Sequence, residues 1–228
     1  MQYLALREPA RISGYAVRSM ACFAAGIIVL CLMAACGPSS KYSALPEGSK
    51  VLVVGDSLAA GYGLTSEQAW PALLASATGW SVENAGVSGD TTAQGLERLA
   101  ARLDDGEAPA AVFVLLGGND MLRKVPEEVT RANLGEIIRR IEAVGAQPIL
   151  FAVPRPSLAG AVLQSLDDAE FYSDLVKGNR TVLIESIFSD VLSEPALKLD
   201  RLHPNAEGQR EVARRLTTQL RDIGLVRK

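Results

Sequence analysis

The 228-residue sequence holds one histidine, His203, and three cysteines, Cys22, Cys31 and Cys36, all within its first 36 residues. With a single imidazole, any chemistry that needs a histidine base has one candidate, and a metal centre built on several histidines is excluded. The acidic cluster Asp104, Asp105 and Glu107 has no histidine or ligand pattern beside it, so it reads as a solvated helix end. No run of Lys or Arg stands out and the formal net charge is −3, which argues against a protein that works by neutralising phosphates. Nucleic acid is therefore not an expected partner. The chain also lacks internal repeats and low-complexity tracts.

What is present is ordinary for a globular protein: 48% of residues are hydrophobic and 21% charged, enough for one sizeable core and, most economically, one domain. The first 35 residues stand apart. Arg7, Arg11 and Arg18 form a positive leader, and "MACFAAGIIVLCLMAA", Met20 to Ala35, is an uncharged apolar run ending in small residues. This pattern predicts a secretion signal over residues 1–35. The run is shorter than the roughly 20 apolar residues of a membrane span and has no basic flank after it.

Cleavage before Cys36 leaves that cysteine alone at the first position, so the mature chain can form no internal disulfide. "LMAAC" resembles the lipobox of bacterial lipoproteins, which implies acylation of Cys36 and a membrane anchor. Leu32 sits one place upstream of the usual pattern, with Met33 in its slot. Ordinary signal-peptidase cleavage after Ala35 is the alternative, and it would put the bulky Met33 where a small residue is preferred. Loss of residues 1–35 removes three arginines and Glu8, leaving 20 basic and 25 acidic residues and a net charge of −5. "GPSSKYSALPEG", 37–48, reads as a flexible tether reaching on the order of 20 Å.

From Lys50 onward, apolar runs of strand length alternate with helical patterns. Val51–Val54, Trp80–Asn84, "AVFVLLGGND" from Ala111 to Asp120, "QPILFAV" and "RTVLIE" supply the strands. "SEQAWPALLASA", "TTAQGLERLAARL", Glu127–Val144 and Asn205–Ile223 supply the helices, with Pro71 confined to a first turn or a kink and Asp90 or Thr91 as a cap. Continuous apolar strands, each followed by a helix, predict an α/β fold in three layers around a parallel sheet. Ligands of such sheets bind beyond the carboxyl ends of the strands.

Four segments lie at those ends: Gly55-Asp56-Ser57, "NAGVSGDT", Gly117-Gly118-Asn119-Asp120 and "LDRLHPN". A serine hydroxyl is a poor nucleophile at neutral pH and needs a base, and His203 is the one imidazole available for Ser57. Asp200, three residues earlier, can hold one ring nitrogen while the other faces the serine. Backbone N–H groups at Ser57 and Gly89 and the Asn119 amide can donate to an oxyanion. Asp56, Asp90, Asp120 and Asn205 read as turn and cap residues. Trp70, Trp80, Phe151 and Phe171 read as core, with Phe171 and Tyr172 also placed to line an acyl site.

"GDSLAAGYG", "GVSGDT", "GGND" and "DRLHPN" together resemble the four blocks of the GDSL, or SGNH, hydrolases, in the family's order from about Val51 to the closing helix. The chain is similar in particular to the bacterial lysophospholipase, thioesterase and arylesterase branch. That resemblance implies a three-layer α/β/α sandwich over residues 49–228. It implies Ser57 as nucleophile, Asp200 and His203 as its triad partners, and Gly89 and Asn119 joining the Ser57 amide in the oxyanion hole. It further implies hydrolysis of esters and thioesters through an acyl-serine, without metal or cofactor. Between Pro154 and Asp174, where related enzymes shape the acyl pocket, the resemblance thins.

The expected protein is thus an exported serine esterase anchored to the cell envelope through Cys36, at the outer membrane rather than the inner, with lysophospholipid among its candidate substrates. Deacetylation of an envelope polysaccharide is the alternative, and a non-catalytic binding lipoprotein a third. The apolar "PSLAGAVL" favours longer acyl chains, and the presence of Ser57, Asn119 and His203 tells against the third reading.

Overall fold

A strand whose apolar residues do not alternate with polar ones is buried on both faces. In the computed structural model, which describes residues 42–104, 108–156 and 165–227, four such runs form β1 (Lys50–Gly55), β3 (Ala111–Leu115), β4 (Gln147–Phe151) and β5 (Val182–Ile184). A short, largely exposed strand, β2 (Ser81–Asn84), completes the sheet at one edge. All pairs are parallel and the order is β2-β1-β3-β4-β5. The polar composition of β2 suits its edge position, where only one neighbour covers it.

Helices α1 (Ser57–Ala60), α2 (Trp70–Thr78), α3 (Thr92–Asp104), α4 (Gly118–Leu122), α5 (Glu127–Ala143), α6 (Phe171–Leu175), α7 (Ile187–Ser193) and α8 (Ala206–Asp222) connect and cover the strands. α2, α7 and α8 pack together on one face, α3 and α5 on the other, giving the three layers expected. Pro71 sits in the first turn of α2, where a missing N–H costs nothing. Asn205 caps α8, its side chain accepting the Gly208 N–H at 2.9 Å. Asp120 accepts both the N–H and the hydroxyl of Thr92 at the start of α3, at 2.8 and 2.6 Å.

An aromatic seam fixes the α2/α7 face. Phe113 of β3 pairs with Ile149 of β4, and Phe151, two residues further along, shares its face of the sheet; Trp70 packs on both phenylalanines, and Phe188 of α7 on Phe151, at centroid distances of 5.3 to 6.0 Å. Trp70 is fully buried, its indole N–H donates to the Leu58 carbonyl at 3.1 Å, and its backbone N–H donates to Gln209 of α8 at 2.9 Å. It therefore joins α1, α2 and α8. Trp70→Ala is expected to cost about 3–5 kcal/mol of stability, read as a fall in the urea midpoint of the folded protein.

The packed body begins ahead of the boundary expected at residue 49. Tyr42 and Leu45 lie against the core, the Leu45 N–H donates to the Leu225 carbonyl at 2.9 Å, and Gly48 donates to Gly79 at 2.8 Å. The last seven residues of the expected tether are thus docked, because their apolar side chains and backbone groups find partners on the body. The expected signal segment, Cys36, Asp105 and Glu107, and most of "PSLAGAVL" lie outside the described residues.

Candidate active site

The strand order turns back on itself at β1 and β3, and a crevice opens beyond their carboxyl ends at this switch point. β1 runs straight into Asp56-Ser57 and β3 into Gly117-Gly118-Asn119. The loop after β2 brings Gly89, and the loop before α8 brings Asp200 and His203. Asp56, Ser57, Gly89, Asn119 and His203 line one cavity of about 610 Å³.

Ser57 Oγ lies 2.9 Å from His203 Nε2, and His203 Nδ1 lies 2.9 Å from both Asp200 carboxylate oxygens. Asp200 Oδ1 also accepts the N–H groups of Leu202 and His203, at 2.8 and 2.9 Å, so a four-residue turn holds the carboxylate. Partial burial pushes the Asp200 carboxyl up, but the hydrogen bonds from the His203 ring and the Leu202 N–H outweigh it, and the group stays below its ordinary range. A carboxylate facing Nδ1 requires a proton there, which leaves Nε2 free to accept the Ser57 hydroxyl hydrogen. Tyr62 stacks on the imidazole, with centroids 4.3 Å apart and planes 29° from parallel.

Ser57 opens α1, so its N–H has no partner within the helix. Among the described residues neither that N–H nor the Gly89 N–H has an acceptor. Gly89 has φ +88°, and the Arg123 guanidinium donates to its carbonyl at 2.7 Å. Asn119 Nδ2 donates to Asp56 Oδ2 at 3.1 Å and to the Asp90 carbonyl at 3.0 Å, while Asp56 Oδ1 accepts the Leu58 N–H at 2.9 Å. Asp56 therefore holds its turn, as its place beside Ser57 suggested. Asp90 pairs with Arg98 of α3. Behind the site, the Tyr172 hydroxyl donates to the Leu116 carbonyl at 2.7 Å, directly where a side chain on Gly117 (φ +115°) would stand. Phe171 and Tyr172 are buried, so they are core and form no part of the cleft lining.

The structure brings Ser57, Gly89, Asn119, Asp200 and His203 to one cleft; Cys36 lies outside the described residues. Much of the remaining lining is apolar, with Leu122, Val153, Pro154, Leu166, Leu192 and Leu202. Tyr62, Arg155 and Arg201 line it too, and sequence reasoning passed over all three. Tyr62 had a usable signal, standing inside the "GDSLAAGYG" block; the two arginines stood in loops with no pattern to mark them.

The sequence profile of the GDSL-like Lipase/Acylhydrolase family matches residues 53–211. The chain belongs to this family. Like other GDSL acylhydrolases, it is an enzyme that hydrolyses ester bonds. It is 36% identical over 178 residues to the Escherichia coli thioesterase 1/protease 1/lysophospholipase L1, covering 76% of this chain and 84% of that one. It is 32% identical over 200 residues to the arylesterase of Vibrio mimicus, covering 85% and 94%. Among solved structures it is similar to the crystal structure of TesA, with a TM-score of 0.67 at 30% identity, over 76% of this chain and 99% of that one. The likeness to TesA is to the same three-layer sandwich.

Proposed function

We propose that Ser57 is the nucleophile of a two-step acyl transfer and that the substrate is a medium- or long-chain carboxylic ester or thioester, lysophospholipid included. The observation that carries the reading is the continuous hydrogen-bond chain from Ser57 through His203 to Asp200, opening onto an apolar cleft. Ser57 Oγ attacks the carbonyl carbon as its proton passes to His203 Nε2, and Asp200 stabilises the imidazolium. The oxyanion accepts hydrogen bonds from the N–H groups of Ser57 and Gly89 and from the Asn119 amide. Collapse breaks the bond to the alcohol or thiol, which leaves with the proton from His203. Water, activated by the same imidazole, then releases the acid and restores Ser57.

The leucines, Val153 and the prolines that make up much of the lining support an acyl chain over a bare acetyl group, with Tyr62, Arg155 and Arg201 left to meet the polar part of the substrate. The names of the Escherichia coli and Vibrio mimicus relatives support the same substrate classes. A nitrophenyl ester series from about two to sixteen carbons, with Ser57→Ala as control, tests this. Activity is expected to peak at medium or long chains; activity on acetate alone would transfer the reading to polysaccharide deacetylation. No Ser57-dependent activity at any length would revive the non-catalytic binding protein.

Residues 1–35 act in this proposal as a signal peptide, with Cys36 as the lipidated first residue that fixes the enzyme to the outer membrane. The support is the arginine leader, the apolar run and the "LMAAC" pattern. Cys36→Ala in the full chain is expected to abolish labelling by a radioactive fatty acid and to move the protein from the membrane pellet to the soluble fraction. Labelling that persists without Cys36 would refute lipidation there.

A further inference from the structure

An amide side chain helps an oxyanion only when its NH2 end faces it, because the opposite flip presents a carbonyl oxygen to a developing negative charge. The flip of Asn119 is set by its two acceptors, Asp56 Oδ2 at 3.1 Å and the Asp90 carbonyl at 3.0 Å. Either one would repel the Asn119 oxygen if the amide turned over. The Asp90 carbonyl is a neutral backbone group. Asp56 supplies a side chain, 2% exposed and fixed at its other oxygen by the Leu58 N–H at 2.9 Å. Its bond to Asn119 spans the crevice between the ends of β1 and β3, linking the nucleophile's turn to an oxyanion donor.

We infer that Asp56 is a positioning residue for acyl transfer, acting through Asn119: its carboxylate keeps one amide hydrogen and with it the flip, so that the other hydrogen can leave the Asp90 carbonyl for the oxyanion that forms at Ser57. The inference rests on the acyl-transfer reading above. Burial raises the Asp56 carboxyl to about 7 against the hydrogen bonds from Leu58 and Asn119, and the neighbouring Asp120 adds to the rise. The Tyr172 hydroxyl is the other titratable group that feels its charge. Assays at about pH 8 therefore keep Asp56 largely ionised and its grip on the amide strongest.

Two substitutions separate the grip from the turn. Asp56→Asn keeps an acceptor for the Leu58 N–H but sets one NH2 group against another at Asn119. Asp56→Ser keeps a capping oxygen yet is too short to reach the amide. Each is expected to lower kcat about 10- to 100-fold on a soluble short-chain ester, with KM within about twofold. Asn119→Ala alone is expected to lower kcat about 10²- to 10³-fold. The deciding measurement is the double-mutant cycle: in the Asn119→Ala background neither Asp56 substitution lowers kcat further.

Losses that multiply in the double variants would mean that Asp56 acts on something other than Asn119 and would overturn the inference. So would wild-type kcat in Asp56→Asn and Asp56→Ser, or an Asn119→Ala enzyme without loss, since nothing would then remain for Asp56 to position. Should one Asp56 variant fail to fold by circular dichroism, the cycle with the other gives the answer. Failure of the underlying reading has a separate sign: an Asp56-independent enzyme still silenced by Ser57→Ala leaves the acyl-transfer reading intact, and one that survives Ser57→Ala does not.

Discussion

Ser57→Ala is expected to lower kcat by about 10⁴- to 10⁶-fold on every ester the enzyme accepts, while the protein keeps its fold and its affinity for acyl chains. The Ser57 hydroxyl has one side-chain partner, His203 Nε2 at 2.9 Å, so its removal leaves no buried donor stranded. The apolar lining that binds the chain is untouched. What is lost is, among the described residues, the one hydroxyl bonded to His203 and so placed to form the proposed acyl intermediate. Two measurements check this: steady-state rates on a soluble ester, and mass spectrometry after exposure to an alkyl phosphonate. The wild type should gain one phosphonyl group, on Ser57, and the alanine variant none. A variant that hydrolyses at more than about one hundredth of the wild-type rate would remove Ser57 from the mechanism.

The second large effect concerns the other end of the hydrogen-bond chain. Asp200→Asn is nearly isosteric, and its remaining oxygen can keep the N–H groups of Leu202 and His203 that fix the turn. The amide hydrogens, however, would face Nδ1 and draw the imidazole into the tautomer that protonates Nε2. In that state Nε2 cannot take the Ser57 proton. A loss of about 10⁴-fold in kcat is expected, with little change in KM, and His203→Ala should lose at least as much. In the wild type, the Asp200 carboxyl lies below its ordinary range, so it stays ionised at neutral pH. Because burial raises the Asp56 carboxyl to about 7, the rate should rise with pH as that carboxylate forms and takes hold of Asn119.

The sequence exposes the sheet because burial on both faces leaves an uninterrupted apolar signature, as in β1 and β3. It exposes the candidate site residues, which the fold brings together, because each stands within a few positions of a strand end or on the single histidine loop. What it hides are contacts between segments with no shared pattern. The Asn119–Asp56 bond joins residues 63 apart, and the stacking of Tyr62 on His203 is likewise made only by the closed fold. The docking of Tyr42 to Gly48 escaped for a related reason. A Pro/Gly/Ser-rich composition describes an unattached segment well and says nothing of a surface that happens to receive it. Phe171 and Tyr172 read from the sequence as core or as acyl-site lining, and their burial, with the Tyr172 hydroxyl bonded to Leu116, assigns them to the interior.

The hydrogen bond from the Leu45 N–H to the Leu225 carbonyl has a topological consequence. It brings the two ends of the folded body side by side, so a linker of a few residues could close the chain into a ring. A ring cut at an exposed loop tip would carry the same sheet order and the same triad in a different linear sequence. The order of the proposed triad along the chain, serine first and histidine last, is thus a property of where the polypeptide is opened and not a requirement of the fold.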